Sequence, residues 1–217
     1  MRLDDGQLTE IGLDAPLEQA PGRVLLLACG ALAREILAVR DANGWDHLEL
    51  ACLPAKLHNE PKKIPDAVRD KIRAARAEGF EKIYVVYADC GTGGLLDRVC
   101  EEERVERIEG PHCYSFFDGN EAFAERADAG EITSFYLTDF LARQFDTLVW
   151  KGFGLDRHPD MASMMFEHYE KVIYLAQTDD PALEAKAREG AARLGLDFEV
   201  RRTGYGDLTD FMKRAAT

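Results

Sequence analysis

The chain has 217 residues, 46% of them hydrophobic, with 40 acidic against 27 basic side chains and a formal net charge of −13. That length suits one sizeable α/β domain, or one carrying an inserted helical cap, and the apolar content is enough for a real core. The acidic balance argues against a general nucleic-acid binder, which needs a basic face for phosphate, and the absence of a run of about 18 apolar residues predicts no membrane helix.

Residues 1–21 carry Asp4, Asp5, Glu10, Asp14 and Glu18 with Pro16 and Pro21, and read as a loose N-terminal arm or edge element. The stretch lacks the basic and apolar regions of a signal peptide. The expected location is therefore the cytoplasm, where the five cysteines stay reduced. A single α/β domain is expected over 22–217. Its first strand is Val24–Ala28, ending at Cys29-Gly30, and a helix with Leu32, Ile36 and Val39 on one face follows, stopped at Asn43-Gly44. A second strand covers 48–52. Pro65 and Asp66 begin a helix to Gly79 with Val68, Ile72 and Ala75 on one face.

A third strand, from Lys82, runs into Tyr87-Ala88-Asp89-Cys90 and opens into the turn Gly91-Thr92-Gly93-Gly94 before a further helix. Alternating strands and helices imply a parallel sheet with right-handed crossovers. A short strand over 105–108 leads to Gly110-Pro111-His112-Cys113. The stretch 118–169 has helical signals around 120–129, 138–145 and 158–169, and reads as a helical cap segment carrying Phe135, Tyr136, Phe140 and Phe145. Strands over 171–176 and 198–201, a helix capped by Asp180-Pro181 and closed at Gly195, and a terminal helix from Asp207 complete the pattern. The fold class is α/β: a doubly wound, mainly parallel sheet of five or six strands with a helical cap segment.

Cys29 and Cys90 end buried strands, and such carboxyl ends line the ligand crevice of a doubly wound sheet. Cys113 lies in a loop on the same predicted edge. Three converging thiolates select zinc or an iron–sulfur cluster, because soft ligands prefer those metals. His112 is an alternative ligand. The competing reading is that a free cysteine is an ordinary small core residue, which Cys52 and Cys100 fit best. The glycine turn is not a dinucleotide fingerprint, since Leu96 stands where the third glycine belongs, and it is not a P-loop. It reads as a nest in which Gly91, Thr92, Gly93 and Gly94 present backbone donors to a small ligand, or simply as a tight turn. Asp89 and His158 are candidate acid or base groups. His158 otherwise serves as a helix-start residue. Arg157 and Arg202 are candidate clamps for an anionic group, and His58 is a further loop histidine.

Ala28-Cys29-Gly30 with Leu32 and Glu35-Ile36, Leu53-Pro54…Leu57-His58-Asn59, Tyr87-Ala88-Asp89-Cys90-Gly91 and the later Cys113 loop together resemble the domain of unknown function 1638 (DUF1638) family. The resemblance covers roughly residues 22–205. It implies a soluble α/β protein of the kind found in methanogens and proteobacteria, often beside components of corrinoid-dependent methyl transfer. The expected function is thus a metal-dependent enzyme, a transferase or lyase. Its substrate would be a small anionic or methylated metabolite of one-carbon metabolism. The metal site would be Cys29, Cys90 and Cys113, with zinc first on prevalence and a [4Fe–4S] cluster close behind. The alternatives are a non-catalytic metal- or corrinoid-binding accessory protein of a methyltransferase system, and nucleotide binding at the glycine turn. No nucleic-acid or membrane partner is expected.

Overall fold

The structure is a computed structural model and describes residues 3–14 and 22–217. The part of the predicted N-terminal arm over 15–21, with Pro16 and Pro21, lies outside the described residues. The chain divides into two compact units, Met1–Phe116 with Asp207–Thr217 and Phe117–Gly206.

The first unit is built on a four-stranded parallel sheet of order β2-β1-β3-β4. Its strands are β1 (Val24–Cys29), β2 (Leu48–Leu53), β3 (Lys82–Val86) and β4 (Glu106–Arg107). Every residue of β1 is buried, as a strand with neighbours on both edges and helices on both faces requires. The helix Ile64–Ala77 buries Val68, Ile72 and Ala75, the face its spacing predicts. The helix Ala33–Asn43 ends where Gly44 adopts φ 65°. Near the amino terminus a helix over Asp5–Glu10 and an antiparallel bridge from Leu13 to Cys52 give the described part of the arm the edge element, not the loose form, of the two expected. Gly30 makes that approach possible: a Cβ there would stand 2.4 Å from the Leu8 carbonyl oxygen.

The second unit has its own three-stranded parallel sheet, β5-β6-β7, from β5 (Ser134–Thr138), β6 (Lys171–Ala176) and β7 (Asp197–Arg202). The α/β class holds, but two sheets of four and three strands stand where one sheet of five or six was expected. The cause is β5. Ser-Phe-Tyr-Leu-Thr sits inside the stretch 118–169 read as a helical cap, and its apolar residues pair with β6 instead of decorating a helix. Helix is also scarcer there than expected. Asp139–Arg143 passes into a π-helical turn over Phe145–Trp150, and 158–169 holds only short helical turns at Pro159–Met161 and Ala162–Met165. The core of this unit joins Leu137, Phe145, Val172 and Tyr174 to Leu183, Ala187 and Ala191 of the helix Pro181–Leu194, which Gly195 closes at φ 74°.

Candidate functional site

The sulfur cluster lies at the carboxyl edge of the first sheet. Cys29 is the last residue of β1, and β3 pairs directly beside it. Beyond β3 the chain stays extended, and Asp89 N–H donates to the Gly110 carbonyl at 3.0 Å and Cys90 N–H to that of Pro111 at 2.9 Å. These two bonds carry the pairing past the end of β4 and set the 110–113 loop against residues 89–90. Cys90 Sγ and Cys113 Sγ are consequently 3.2 Å apart, and both are free thiols. Ser115 holds the loop turn, its Oγ and N–H both donating to the His112 carbonyl, at 2.7 and 3.0 Å.

The three sulfurs are close enough to interact: Cys90 raises the pKa of Cys29, and Cys29 that of Cys113. Each sulfur also faces a backbone N–H: that of Ala31 at Cys29, of Cys113 at Cys90 and of Ala88 at Cys113. Such donors stabilise thiolate more than thiol. The hydrogen bond between Cys90 and Cys113 lowers the pKa of Cys90 and raises that of Cys113, so Cys90 is the first of the pair to ionise. Burial pushes Cys29 up to about 12. Tyr87, 1% exposed, turns its hydroxyl to Cys29 closely enough to favour the thiolate there, but outside good hydrogen-bond geometry. Burial and the neighbouring sulfurs raise its pKa well above the usual phenol value.

Two histidines stand near this cluster. Burial lowers the pKa of His112, and the charge of His58 lowers it further, while His112 stacks on Tyr114 at a centroid distance of 4.8 Å. Burial depresses His58 too, although part of its surface is open to solvent. Arg107 supplies a nearby cation whose field lowers the pKa of Cys90. It is held by Asp97 at 2.5 Å and by the Ile108 carbonyl at 2.7 Å.

The glycine turn differs from its expected role. Gly91, Gly93 and Gly94 have φ of 83°, 63° and 79°, and Cys90 itself has φ 48°, a conformation unusual for a residue with a side chain. The turn's donors close on Asp89 rather than on a ligand. Thr92 Oγ1 donates to its carboxylate at 2.6 Å, Gly94 N–H at 2.8 Å and Gly93 N–H at 3.1 Å. Burial raises the Asp89 pKa, but these bonds outweigh it and the net shift is downward. Asp89 is therefore an ionised cap of the turn, with its acceptor oxygens already engaged, and not a free acid or base.

The remaining predicted residues belong to the second unit. Arg157 and His158 are exposed in the loop after the π-helical turn. Arg202 is shared between Asp179 at 3.3 Å and Glu184 at 3.2 Å, and lines a cavity of about 620 Å³ with Tyr174, Thr178, Asp180 and Arg188. Its charge is already matched, which leaves little for an added anion. Tyr87 and Arg107 had no distinct signal in the sequence. His58 had one, its place in the loop after the strand beside β1.

Three sulfurs with N–H donors and a hydroxyl turned to one of them suit a soft metal chemically. Among the described residues no set of three or more His, Cys, Asp or Glu side chains already stands at metal-binding geometry. Two thiolates on a tetrahedral zinc would sit roughly 3.8 Å apart, so Cys90 and Cys113 must separate slightly to share an ion.

The profile of a family described as "Protein of unknown function (DUF1638)" matches residues 52–212, which include Cys90 and Cys113 but not Cys29. No curated protein and no solved structure matches the chain.

Proposed function

Because the chain belongs to the DUF1638 family, whose description names no reaction, we propose a function from the site itself: the first unit is a thiolate metal centre that acts on a small anionic or methylated metabolite. Cys29, Cys90 and Cys113 hold the metal, zinc or a [4Fe–4S] cluster. The observation that carries this is the 3.2 Å contact of the free thiols Cys90 and Cys113 with Cys29 at the neighbouring strand end, each sulfur faced by a backbone N–H and Cys29 also by the hydroxyl of Tyr87. Neutral core cysteines need no such donors. When bound, the metal supplies a Lewis acid or an activated thiolate, which suits transfer or lysis of a small one-carbon unit. Arg107 adds positive charge beside the sulfurs, and His112 and His58, their pKa values lowered, are neutral imidazoles at pH 7 that can accept a proton.

Anaerobically purified protein, assayed for zinc, iron and sulfide with an absorption spectrum, is expected to carry about one centre per chain. Cys90→Ala should lose it and Cys100→Ala, altered on the helix Leu95–Glu103, should keep it. A well-folded chain that takes up neither zinc nor a cluster overturns the proposal.

One observation favours the second reading, an accessory protein of a corrinoid methyltransferase system. Phe153, Met161, Met164, Met165 and Tyr169 are all exposed within one short stretch of the second unit. Exposed methionine and aromatic side chains suit an adaptable docking surface. Co-sedimentation with a corrinoid protein, weakened by Met164→Asp, is the result this reading expects; no co-sedimentation removes it.

A further inference from the structure

The pair Cys90 and Cys113 has a second chemistry available when no metal holds it. The sulfurs are 3.2 Å apart, both are free, and they come from two loops joined by only two main-chain bonds between residues 89–90 and 110–111. A disulfide needs about 2.05 Å between sulfurs. The remaining approach is about an ångström, within the reach of side-chain rotation and a small loop shift. Cys29, Cys52, Cys90 and Cys100 are buried; Cys113 is half-buried and is the most open residue of the five.

We propose that Cys90 and Cys113 form a redox-active dithiol that low-molecular-weight disulfides convert reversibly to an intramolecular disulfide. In the first step the Cys113 thiol passes its proton across the 3.2 Å contact to the Cys90 thiolate and attacks one sulfur of the small disulfide RSSR. A Cys113 S–SR bond forms, the S–S bond of the reagent breaks, and RS⁻ leaves. In the second step the Cys90 thiolate attacks Cys113 Sγ, forming the Cys90–Cys113 bond and releasing a second RS⁻. The two protons lost by the cysteines appear on two RSH. The protein pair is oxidised by two electrons and RSSR is reduced by two. Cys90 is well placed as the resolving sulfur because it is buried and already in contact with Cys113. The disulfide removes two of the three proposed metal ligands, so oxidation and metal occupancy exclude one another. The dithiol chemistry itself does not depend on the metal proposal.

The test uses the full chain, stripped of metal by a chelator and equilibrated with glutathione buffers from fully reduced to fully oxidised. Free thiols are then blocked and the protein is digested with trypsin. Cys90 and Cys113 fall in separate tryptic peptides, 83–98 and 108–126, each holding one cysteine. The expected result is a cross-linked 83–98/108–126 species that rises with the oxidised fraction and disappears on reduction. Cys113→Ser should abolish it and Cys100→Ser should leave it unchanged. Two alkylated thiols in fully oxidised buffer, or a Cys113–glutathione adduct that Cys90 never resolves, overturns the proposal. Because the readout is taken on metal-free wild-type protein, a failure to bind metal in the earlier experiment leaves this outcome separately readable.

Discussion

Tyr87→Phe tests the site through stability. The substitution removes one oxygen and keeps the ring, which is buried at 1% exposure. A buried hydroxyl without a partner costs roughly 1–3 kcal/mol of desolvation, uncompensated in the fold. Its removal should therefore stabilise the metal-free, reduced chain, by about 1 kcal/mol once the small void left by the oxygen takes back part of the gain. For a chain of this length that corresponds to a rise of roughly 2–4 °C in Tm. Urea unfolding followed by tryptophan fluorescence is the assay. Trp45 lies in the unit that holds Tyr87 and Trp150 in the other, so a Trp150→Phe background isolates the relevant signal. In metal-loaded protein the gain should shrink or reverse, because there the hydroxyl has thiolates to donate to. A loss of 1 kcal/mol or more in the bare chain would refute the reasoning. It would mean that the hydroxyl already donates to Cys29 and awaits no ligand.

Two further outcomes concern the second unit. Gly190→Ala should destabilise it by about 1 kcal/mol despite a helix-propensity gain of similar size, since the new Cβ would stand 2.8 Å from Cε2 of the buried Phe145 ring; a rise in urea midpoint would contradict that packing. Glu131 is held below the usual carboxylate range, first by its hydrogen bonds from Arg201, at 2.8 and 2.5 Å, with burial opposing. A depressed carboxyl adds stability that is full above its unfolded value of 4.5 and is lost as pH falls through the lower folded value. Urea midpoints read through Trp150 should thus fall between about pH 5 and pH 3, and Arg201→Ala should flatten that fall; identical slopes would remove the ion pair as the cause.

Much of the first unit was legible because buried parallel strands announce themselves as unbroken apolar runs, as Val24–Cys29 does. The stops at Gly44 and Gly195 were legible for a different reason, since both positions require positive φ. Strand-end logic put Cys29 and Cys90 on one sheet edge without any local motif, and the 110–113 loop brings Cys113 to within 3.2 Å of Cys90. β5 was missed because five residues of mixed aromatic and polar character give too short a period to separate strand from helix. The role of Asp89 was misjudged through attention to the glycines. An aspartate followed by threonine and glycine is also the pattern of a self-capping turn, and here that pattern decided. The nearness of His58 to His112 depended on the strand order β2-β1-β3-β4, which no local spacing encodes.

The division of the chain has a consequence for how the protein is made. Residues 207–217 return to the first unit after the whole of the second has been laid down. The helix Asp207–Ala215 buries Leu208, Phe211, Met212 and Ala215, and Phe211 meets Tyr84 of β3 edge-on at 6.0 Å. During synthesis the sulfur-bearing sheet must wait, with that face uncovered, until the ribosome has delivered about ninety intervening residues. The second unit is contiguous and can fold while the first is still incomplete. A nascent chain stalled before Asp207 would thus present finished β5–β7 while the first sheet still lacked one covering helix.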